Sequence, residues 1–295
     1  MLKNYVICIP SYKRAEICNN KTLNTLHLHD INSNNIYVYV ANKEEYNTYK
    51  SVLNNNLYNK IIIGKKGLVQ QREFIMKQWC EGKHIVFLDD DIEIIDLSLS
   101  NSFKKHSLDY FIKKAFEKCK ELNSYIWGVY AVYNEFYRKD KKEYTTQLNY
   151  IVGAFYGIIN RPKLNSIKLK ITSENGQKED VERTLKYFIN DGIVLRYNRI
   201  GFKTKYYGTT GGLGRLEDRI NAMMQASKKL MKEYGEYGYI KVRSNGITEF
   251  VLRKINNINL IDDKPLIKNE LKKNKTMKNK TMKNEPKKNK TMKNK

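Results

Sequence analysis

The apolar positions along the chain change period several times, and each change marks an element. Asn4 to Pro10 contains the continuous β-prone run Tyr5-Val6-Ile7-Cys8-Ile9 and reads as a first strand. Pro10-Ser11-Tyr12-Lys13-Arg14 is a polar loop, and Ala15 to Leu28 reads as a helix. Ile36 to Ala41 is a second strand, Lys43 to Leu53 a helix, and Lys60 to Ile63 a short third strand. Gly64-Lys65-Lys66-Gly67 is a glycine-bounded turn. Beyond it Leu68, Ile75 and Trp79 share one face of a helix over Leu68 to Cys80. His84 to Leu88 is a fourth strand. Strand and helix alternating in this way predict a parallel sheet with right-handed crossovers.

The second half is less regular. Leu108 to Leu122 is an amphipathic helix; Tyr125 to Tyr133 and Tyr150 to Ile159 read as strands, joined by a charged loop around Arg138 to Glu143. Asn165 to Gln177 is a polar surface loop, within which Ile167, Leu169 and Ile171 alternate as in a short edge strand. Val181 to Ile189 is helical, with Glu179-Asp180 at its start. Ile193 to Tyr197 and Phe202 to Tyr207 are strands, Gly208 to Gly214 a glycine-rich loop, and Leu216 to Tyr234 a long helix. Short strands follow near Tyr239 and Phe250.

After about Asp263 the pattern stops. Lys-Asn-Lys-Thr-Met-Lys recurs at Lys273, Lys278 and Lys288, too polar to bury a core, so Lys264 to Lys295 is expected to be a disordered basic tail behind a domain of residues 1–263. That tail holds thirteen Lys and two Glu, a net +11, which leaves +13 of the chain's +24 to the rest. A basic surface favours polyanions such as nucleic acid. Cys8, Cys18, Cys80 and Cys119 have no CxxC spacing, which suits a reducing compartment; Cys8 reads as a core residue. No secretory signal and no apolar run of about 18 residues is visible, so a cytoplasmic chain without a membrane span is expected.

The stretch with the sharpest chemistry is Asp89-Asp90-Asp91, directly after the fourth strand. Three adjacent carboxylates repel one another and are costly to desolvate without a cation. Oxygen ligands suit Mg²⁺ or Mn²⁺, and the carboxyl end of a strand in an open α/β sheet is where ligands bind. The residues therefore point to a divalent ion held over a diphosphate, or more plainly to an acidic turn with Asp capping a following helix.

Ile7-Cys8-Ile9-Pro10-Ser11-Tyr12-Lys13-Arg14, with Phe87-Leu88-Asp89-Asp90-Asp91 some eighty residues on, resembles a nucleotide-sugar glycosyltransferase of the GT-A fold. The resemblance covers roughly residues 4 to 220 and implies an α/β Rossmann-like, mostly parallel central sheet flanked by helices. It further implies a donor-binding half at 1–100 and an acceptor half at 101–263. The donor site it implies uses Pro10, Ser11, Tyr12, Arg14, Gly67, Gln71, Arg72, Asp89 and Asp90, with Asp89 and Asp91 on the metal. Residue 73 is Glu where many relatives have Asn. Lys178-Glu179-Asp180-Val181-Glu182-Arg183 is similar to a Glu-Asp motif whose Asp is the general base of inverting members, which implies that role for Asp180, with Glu179 as the fallback. The loop Tyr207 to Gly214 is similar to that of phage and viral members associated with TET/JBP hydroxylases, which implies UDP-glucose as donor and a hydroxymethylated base in DNA as acceptor. None of the four His lies beyond residue 106, so the late metal-binding His of some retaining members is absent.

Two other classes remain open at this point. A metal-dependent nucleotidyltransferase also uses paired aspartates and needs more carboxylates nearby, for which Glu93 and Asp96 are available. A non-catalytic nucleic-acid-binding protein fits the charge, though not the intact acid run. Within the first class, the acceptor could equally be a glycan, lipid or protein.

Overall fold

In the computed structural model, residues 5–174, 176–204 and 216–256 are described. The first strand, β1 (Val6–Pro10), is the apolar run at the start of the chain, and its first four residues are buried. Strands β2 (Ile36–Val40), β3 (Lys60–Ile63) and β4 (His84–Leu88) follow where the alternation places them. Helices α3 (Lys43–Val52) and α4 (Leu68–Gln78) form the crossovers between them, after α1 (Ala15–Cys18) and α2 (Asn24–Leu28). The expected single helix over Ala15 to Leu28 is continuous but widens into a π turn at Asn19–Leu23. That turn lets Thr22 donate from Oγ1 to Asp89 O (2.7 Å) while accepting from Ile92 N (2.9 Å), a use typical of π bulges.

The structure departs from expectation just after the aspartates. Asp91 opens no helix; it enters strand β5 (Ile92–Asp96), antiparallel to β10 (Gly201–Thr204). Ile92 and Ile95 are buried while Ile94 faces out, so the segment packs as a half-buried strand. Helix α5 (Leu108–Glu121) is capped by Ser107 and leads to β6 (Ile126–Val129), which ends four residues before the expected Tyr133. A two-residue strand, β7 (Tyr144–Thr145), interrupts the charged loop; β8 (Phe155–Ile159) and β9 (Leu195–Tyr197) are shorter than their apolar runs. Helix α6 spans Glu179–Asp191 and α7 Leu216–Tyr234; the latter packs on the hairpin β11 (Gly238–Val242) and β12 (Thr248–Leu252).

The alternation Ile167, Leu169, Ile171 makes no edge strand. Its backbone donors go to one buried carboxylate: Glu182 accepts from Lys170 N, Ile171 N and Thr172 N at 2.8, 3.0 and 2.9 Å. A sheet neighbour is therefore not needed to satisfy them.

The main sheet runs β3-β2-β1-β4-β8-β6-β9-β7. β1, β2, β3 and β4 are mutually parallel, and so are β6 and β9; β8 is antiparallel to both β4 and β6. The expected mixed α/β architecture, a large mostly parallel sheet flanked by helices, is thus the one observed. Trp127, buried edge-to-face among Phe111, Phe116 and Phe155, fills the core between α5 and the sheet. Its ring lies where a Cβ on Gly157 would be 2.3 Å away, so this strand position tolerates only glycine. Cys8 is buried in the core as expected, and all four cysteines are free. Among the described residues no helix is long and apolar enough to cross a membrane. The glycine-rich loop Gly208 to Gly214, the end of the expected strand Phe202 to Tyr207 and the tail Lys264 to Lys295 lie outside the described residues.

Candidate active site

The parallel strands β1 and β4 end at one edge of the sheet, and the loops leaving them meet there. The first is the loop Ser11 to Arg14. Ser11 donates its backbone N–H to Tyr39 O (2.9 Å), and its hydroxyl lies 2.6 Å from the Tyr49 hydroxyl and within bonding distance of Asp90 Oδ2. Lys13 turns the backbone at φ 56° and donates its N–H to Glu45 Oε2 (2.8 Å). Tyr12 lies beside two ammonium groups, Lys13 and Lys66, at 5.5 and 5.8 Å from its ring. Pro10 closes β1 in register with Tyr39 of β2.

The second loop is the acid run, and its three carboxylates have different surroundings. Asp90 is buried and accepts from Ser11 and from Arg14 Nη1 (2.9 Å). Asp91 accepts from the same guanidinium at 3.2 Å and from Thr204 Oγ1 of β10 at 2.6 Å. Asp89 is the most open of the three, with 37% of its side chain exposed, and rests one oxygen on Arg72 Nη2 (3.1 Å). Burial pushes the Asp89 carboxyl up to about 7, against the pull of Arg72, and the neighbouring Asp91, Asp90 and Glu179 add to the rise. Asp90 is raised by burial too, with Arg14 opposing. Burial alone would lower the Arg14 guanidinium, but Asp90, Asp91 and Asp89 outweigh it.

Helix α4 supplies the cation behind this corner. Gly67 starts it at φ 97°, a conformation that glycine adopts freely. Gln71, expected on the donor side, spends both ends of its buried amide on backbone: Oε1 accepts from Lys65 N (2.7 Å) and Nε2 donates to Val40 O (3.1 Å). It braces the Gly64 to Gly67 turn. Next along the helix, Arg72 is buried and reaches three places: Asp89, Gly153 O (2.8 Å) and Glu179 Oε1.

Glu179 and Asp180 open helix α6, where acids favour the helix dipole. Glu179 is buried with both oxygens taken, one by Arg72 and the other by Arg183 Nη1 (2.5 Å). Arg183 stacks over the Tyr156 ring at 3.8 Å. A carboxylate held between two guanidiniums serves as their counter-ion. Asp180, half-buried, accepts from the Tyr150 hydroxyl and from Val181 N (2.9 Å). Gly153 brings the groups together: a Cβ there would stand 2.8 Å from Glu179 Oε1, 3.2 Å from Arg72 Nη1 and 3.5 Å from Asp180 Cβ. Lys178, before Glu179, is left-handed at φ 63° with its ammonium 3.9 Å from Glu249; burial lowers its pKa.

The structure thus gathers Ser11, Arg14, Arg72 and the three aspartates at one sheet edge, with Glu179 joined to them through Arg72. Tyr49, Gly153, Tyr156, Arg183, Thr204 and Tyr150 complete the surroundings and are not among the residues the sequence pointed to. Arg183 carried a local signal, four residues after Glu179 on a helix.

The donor set fits a hard divalent ion. Asp89 offers a half-buried carboxylate in a corner where burial and neighbouring anions disfavour an unneutralised charge, and Asp91 lies beside it. Among the described residues no three His, Cys, Asp or Glu side chains form a complete metal cage. Ions of the Mg²⁺ type are commonly held by one or two carboxylates plus substrate phosphates and water.

No family model matches this chain, and no curated protein matches it. Solved structures do. S. aureus TarS, residues 1–349, is similar at TM-score 0.45 and 16% identity over 77% of this chain and 65% of that one. This chain therefore spans less than two thirds of that TarS structure. The mannosyltransferase PcManGT from Pyrobaculum calidifontis, in complex with GDP-Man and Mn²⁺, is similar at TM-score 0.46 and 12% identity over 79% and 65%. The glucosyl-3-phosphoglycerate synthase of Mycobacterium tuberculosis, in complex with Mn²⁺, UDP-glucose and phosphoglyceric acid, is similar at TM-score 0.45 and 8% identity over 88% and 91%. These neighbours are GT-A glycosyltransferases.

Proposed function

We propose that this chain is a metal-dependent, inverting glycosyltransferase that moves a sugar from a nucleotide-diphosphate donor to an acceptor hydroxyl. The observation that carries the reading is Asp89: a half-buried carboxylate at the carboxyl edge of the sheet, backed by a buried guanidinium and flanked by Asp91. Residues 1–100 bind the donor in this reading, and 101–263 the acceptor. Pro10, Ser11 and Tyr12 line the nucleotide, and Arg14 keeps Asp90 and Asp91 in place. A divalent ion, Mn²⁺ or Mg²⁺, held by Asp89 and Asp91 would neutralise charge on the departing nucleoside diphosphate. Arg72 fixes the direction of Asp89 and adds positive charge behind it.

The attacking hydroxyl must lose its proton, and in this reading Asp180 is the carboxylate that takes it. Glu179 serves by holding Arg72. The nucleotidyltransferase alternative loses its extra carboxylates: Glu93 is paired with Lys21 and Lys203 at 2.8 and 3.1 Å, and Asp96 with the buried Arg138. For the finer identity we favour UDP-glucose and a hydroxymethylated base in DNA, as in the TET/JBP-associated group; the chain's net charge of +24 supports a polyanionic acceptor.

Incubation with a panel of nucleotide sugars and Mn²⁺, followed by assay of free nucleotide, tests the reading. Slow release from one donor, abolished by EDTA and by Asp91→Asn with the fold intact, is expected. No release from any donor, or full activity in excess EDTA, overturns it.

A further inference from the structure

Beyond the reacting groups, the carboxyl edge of the sheet carries a surface with no role so far. Phe87 of β4, Tyr156 of β8 and Gly128 of β6 are in register across the sheet. Asp89 and Tyr130 therefore leave it at the same level, two strands or about 10 Å apart. The chain that follows Tyr130 exposes one apolar side chain after another: Val132, Tyr133, Phe136 at 70% and Tyr137 at 54%. Large rings this open, grouped within a few residues, mark an interaction surface.

The segment is held from beneath. Arg138 is wholly buried and donates to Tyr133 O (3.0 and 2.7 Å) and Arg199 O (2.8 Å), and pairs with Asp96 Oδ2 (2.5 Å) on the strand that leaves the aspartates. Glu143 ties the far end by accepting from Ser100 Oγ and from Asn101 N (3.1 Å). The rings are thus presented on a fixed frame. Ammonium groups lie against rings of the segment: Lys139 is 5.9 Å from the Phe136 ring and Lys141 5.1 Å from the half-buried Tyr130 ring. Exposed Lys104 and Lys105 sit on the turn that Glu143 holds. On its other side Tyr130 is covered by Arg196 (5.2 Å), which donates to Tyr150 O (3.3 Å), the residue whose hydroxyl meets Asp180.

We infer that Tyr133, Phe136 and Tyr137, with Lys139 and Lys141, form a platform that stacks unpaired bases of a single-stranded or base-flipped nucleic acid beside the reacting centre. Exposed aromatic faces with cations beside them suit bases that carry phosphates next to them. Glu135 and Asp140 share the segment with Lys139, Lys141 and Lys142, so ring stacking, more than charge, supplies the affinity there. The excess of +13 outside the tail draws the polyanion in at long range. A membrane would need a larger apolar face with a single-sign rim. As an acceptor-docking surface this rests on the sugar-transfer reading; its test does not.

The test is binding of a fluorescent oligo(dT) to the full chain, by anisotropy and without any nucleotide sugar. The double variant Phe136→Ser, Tyr137→Ser should weaken binding about 10-fold or more while the melting temperature stays put, because both rings are exposed. Phe136→Tyr should bind like the wild type. Lys139→Gln with Lys141→Gln should flatten the salt dependence, by about 0.7 in slope for each phosphate no longer neutralised. Unchanged oligonucleotide affinity in the ring variant at every salt concentration overturns the inference. So does tighter, ring-dependent binding of phosphatidylserine vesicles or of a neutral oligosaccharide. A chain that binds through its rings yet releases no nucleotide from any sugar donor keeps the platform and loses the proposed enzyme.

Discussion

The aspartate corner after β4 and the start of α6 solve one problem in the same way. Each places carboxylates side by side in sequence and gives them opposite surroundings. In the corner, Asp90 is buried between Ser11 and Arg14, while Asp89 is half-buried. At α6, Glu179 is buried between Arg72 and Arg183, while Asp180 is half-buried against one tyrosine. In both regions the sunken carboxylate is held by side-chain partners, and its neighbour in sequence is the more exposed of the two. They differ in how the anchor is made: one guanidinium shared by two aspartates in the corner, two guanidiniums on one glutamate at the helix. Arg72 belongs to both, holding Asp89 with one nitrogen and Glu179 with the other.

The sharpest way to break the parallel is to remove the shared cation. Arg72→Leu leaves Glu179 half-compensated in the interior, a change that costs about 3–5 kcal/mol when a buried pair loses one partner. Denaturant unfolding should show it, and a variant as stable as the wild type would dissolve the parallel. Glu179→Gln should likewise reduce stability, while its neighbour should not: Asp180→Asn keeps its size and its place beside the tyrosine. If the proposed reaction holds, Asp180→Asn should lower transfer to the acceptor about 10²–10⁴-fold with donor hydrolysis and melting temperature near wild type. Equal loss of donor binding would move Asp180 into the donor site.

A smaller perturbation sharpens the geometry. Gly153→Ala puts a methyl against Glu179 and Arg72, and overpacking of this kind costs about 1–3 kcal/mol. A wild-type melting curve would mean that the clasp is looser than described. The smallest effect concerns Asp89. Its folded-state pKa of about 7 exceeds the unfolded value of about 4. Without an ion, its contribution to stability is therefore fully present below pH 4 or so and lost as pH rises through about 7. A divalent ion competes with that proton. The rise in melting temperature given by Mn²⁺ should grow between about pH 6 and about pH 8, as the proton leaves. A pH-independent increment would place the ion elsewhere.

Much of the first hundred residues was legible because their elements are local. A run such as Ile85-Val86-Phe87-Leu88 is buried on both faces and needs no distant partner to be recognised. Strand β5 and the two residues of β7 were not legible, since each is a strand only through its pairing. β5 pairs with β10 and β7 with β9, both far along the chain from their partners. Tyr125 to Tyr133 read as one strand because Tyr130 and Tyr133 are as β-prone as the residues before them; only the end of pairing at Val129 distinguishes them. In the site, Ser11, Arg14 and the aspartates lie on two short motifs. Gly153 and Tyr156 enter by meeting Arg72, some eighty residues away in sequence, and no local pattern announces that.

The orientation of β8 bears on how the chain reaches this state. β4 is flanked by β1 on one side and by antiparallel β8 on the other, and β8 comes some seventy residues later. Until β8 docks, β4 is an unpaired and mostly apolar edge, a template for joining another chain. The same docking delivers Ala154 O to Asp89 N and Gly153 O to Arg72. Closing the vulnerable edge and assembling the candidate site are therefore one non-local event in folding, so a nascent chain stalled before β8 would lack the site and be sticky.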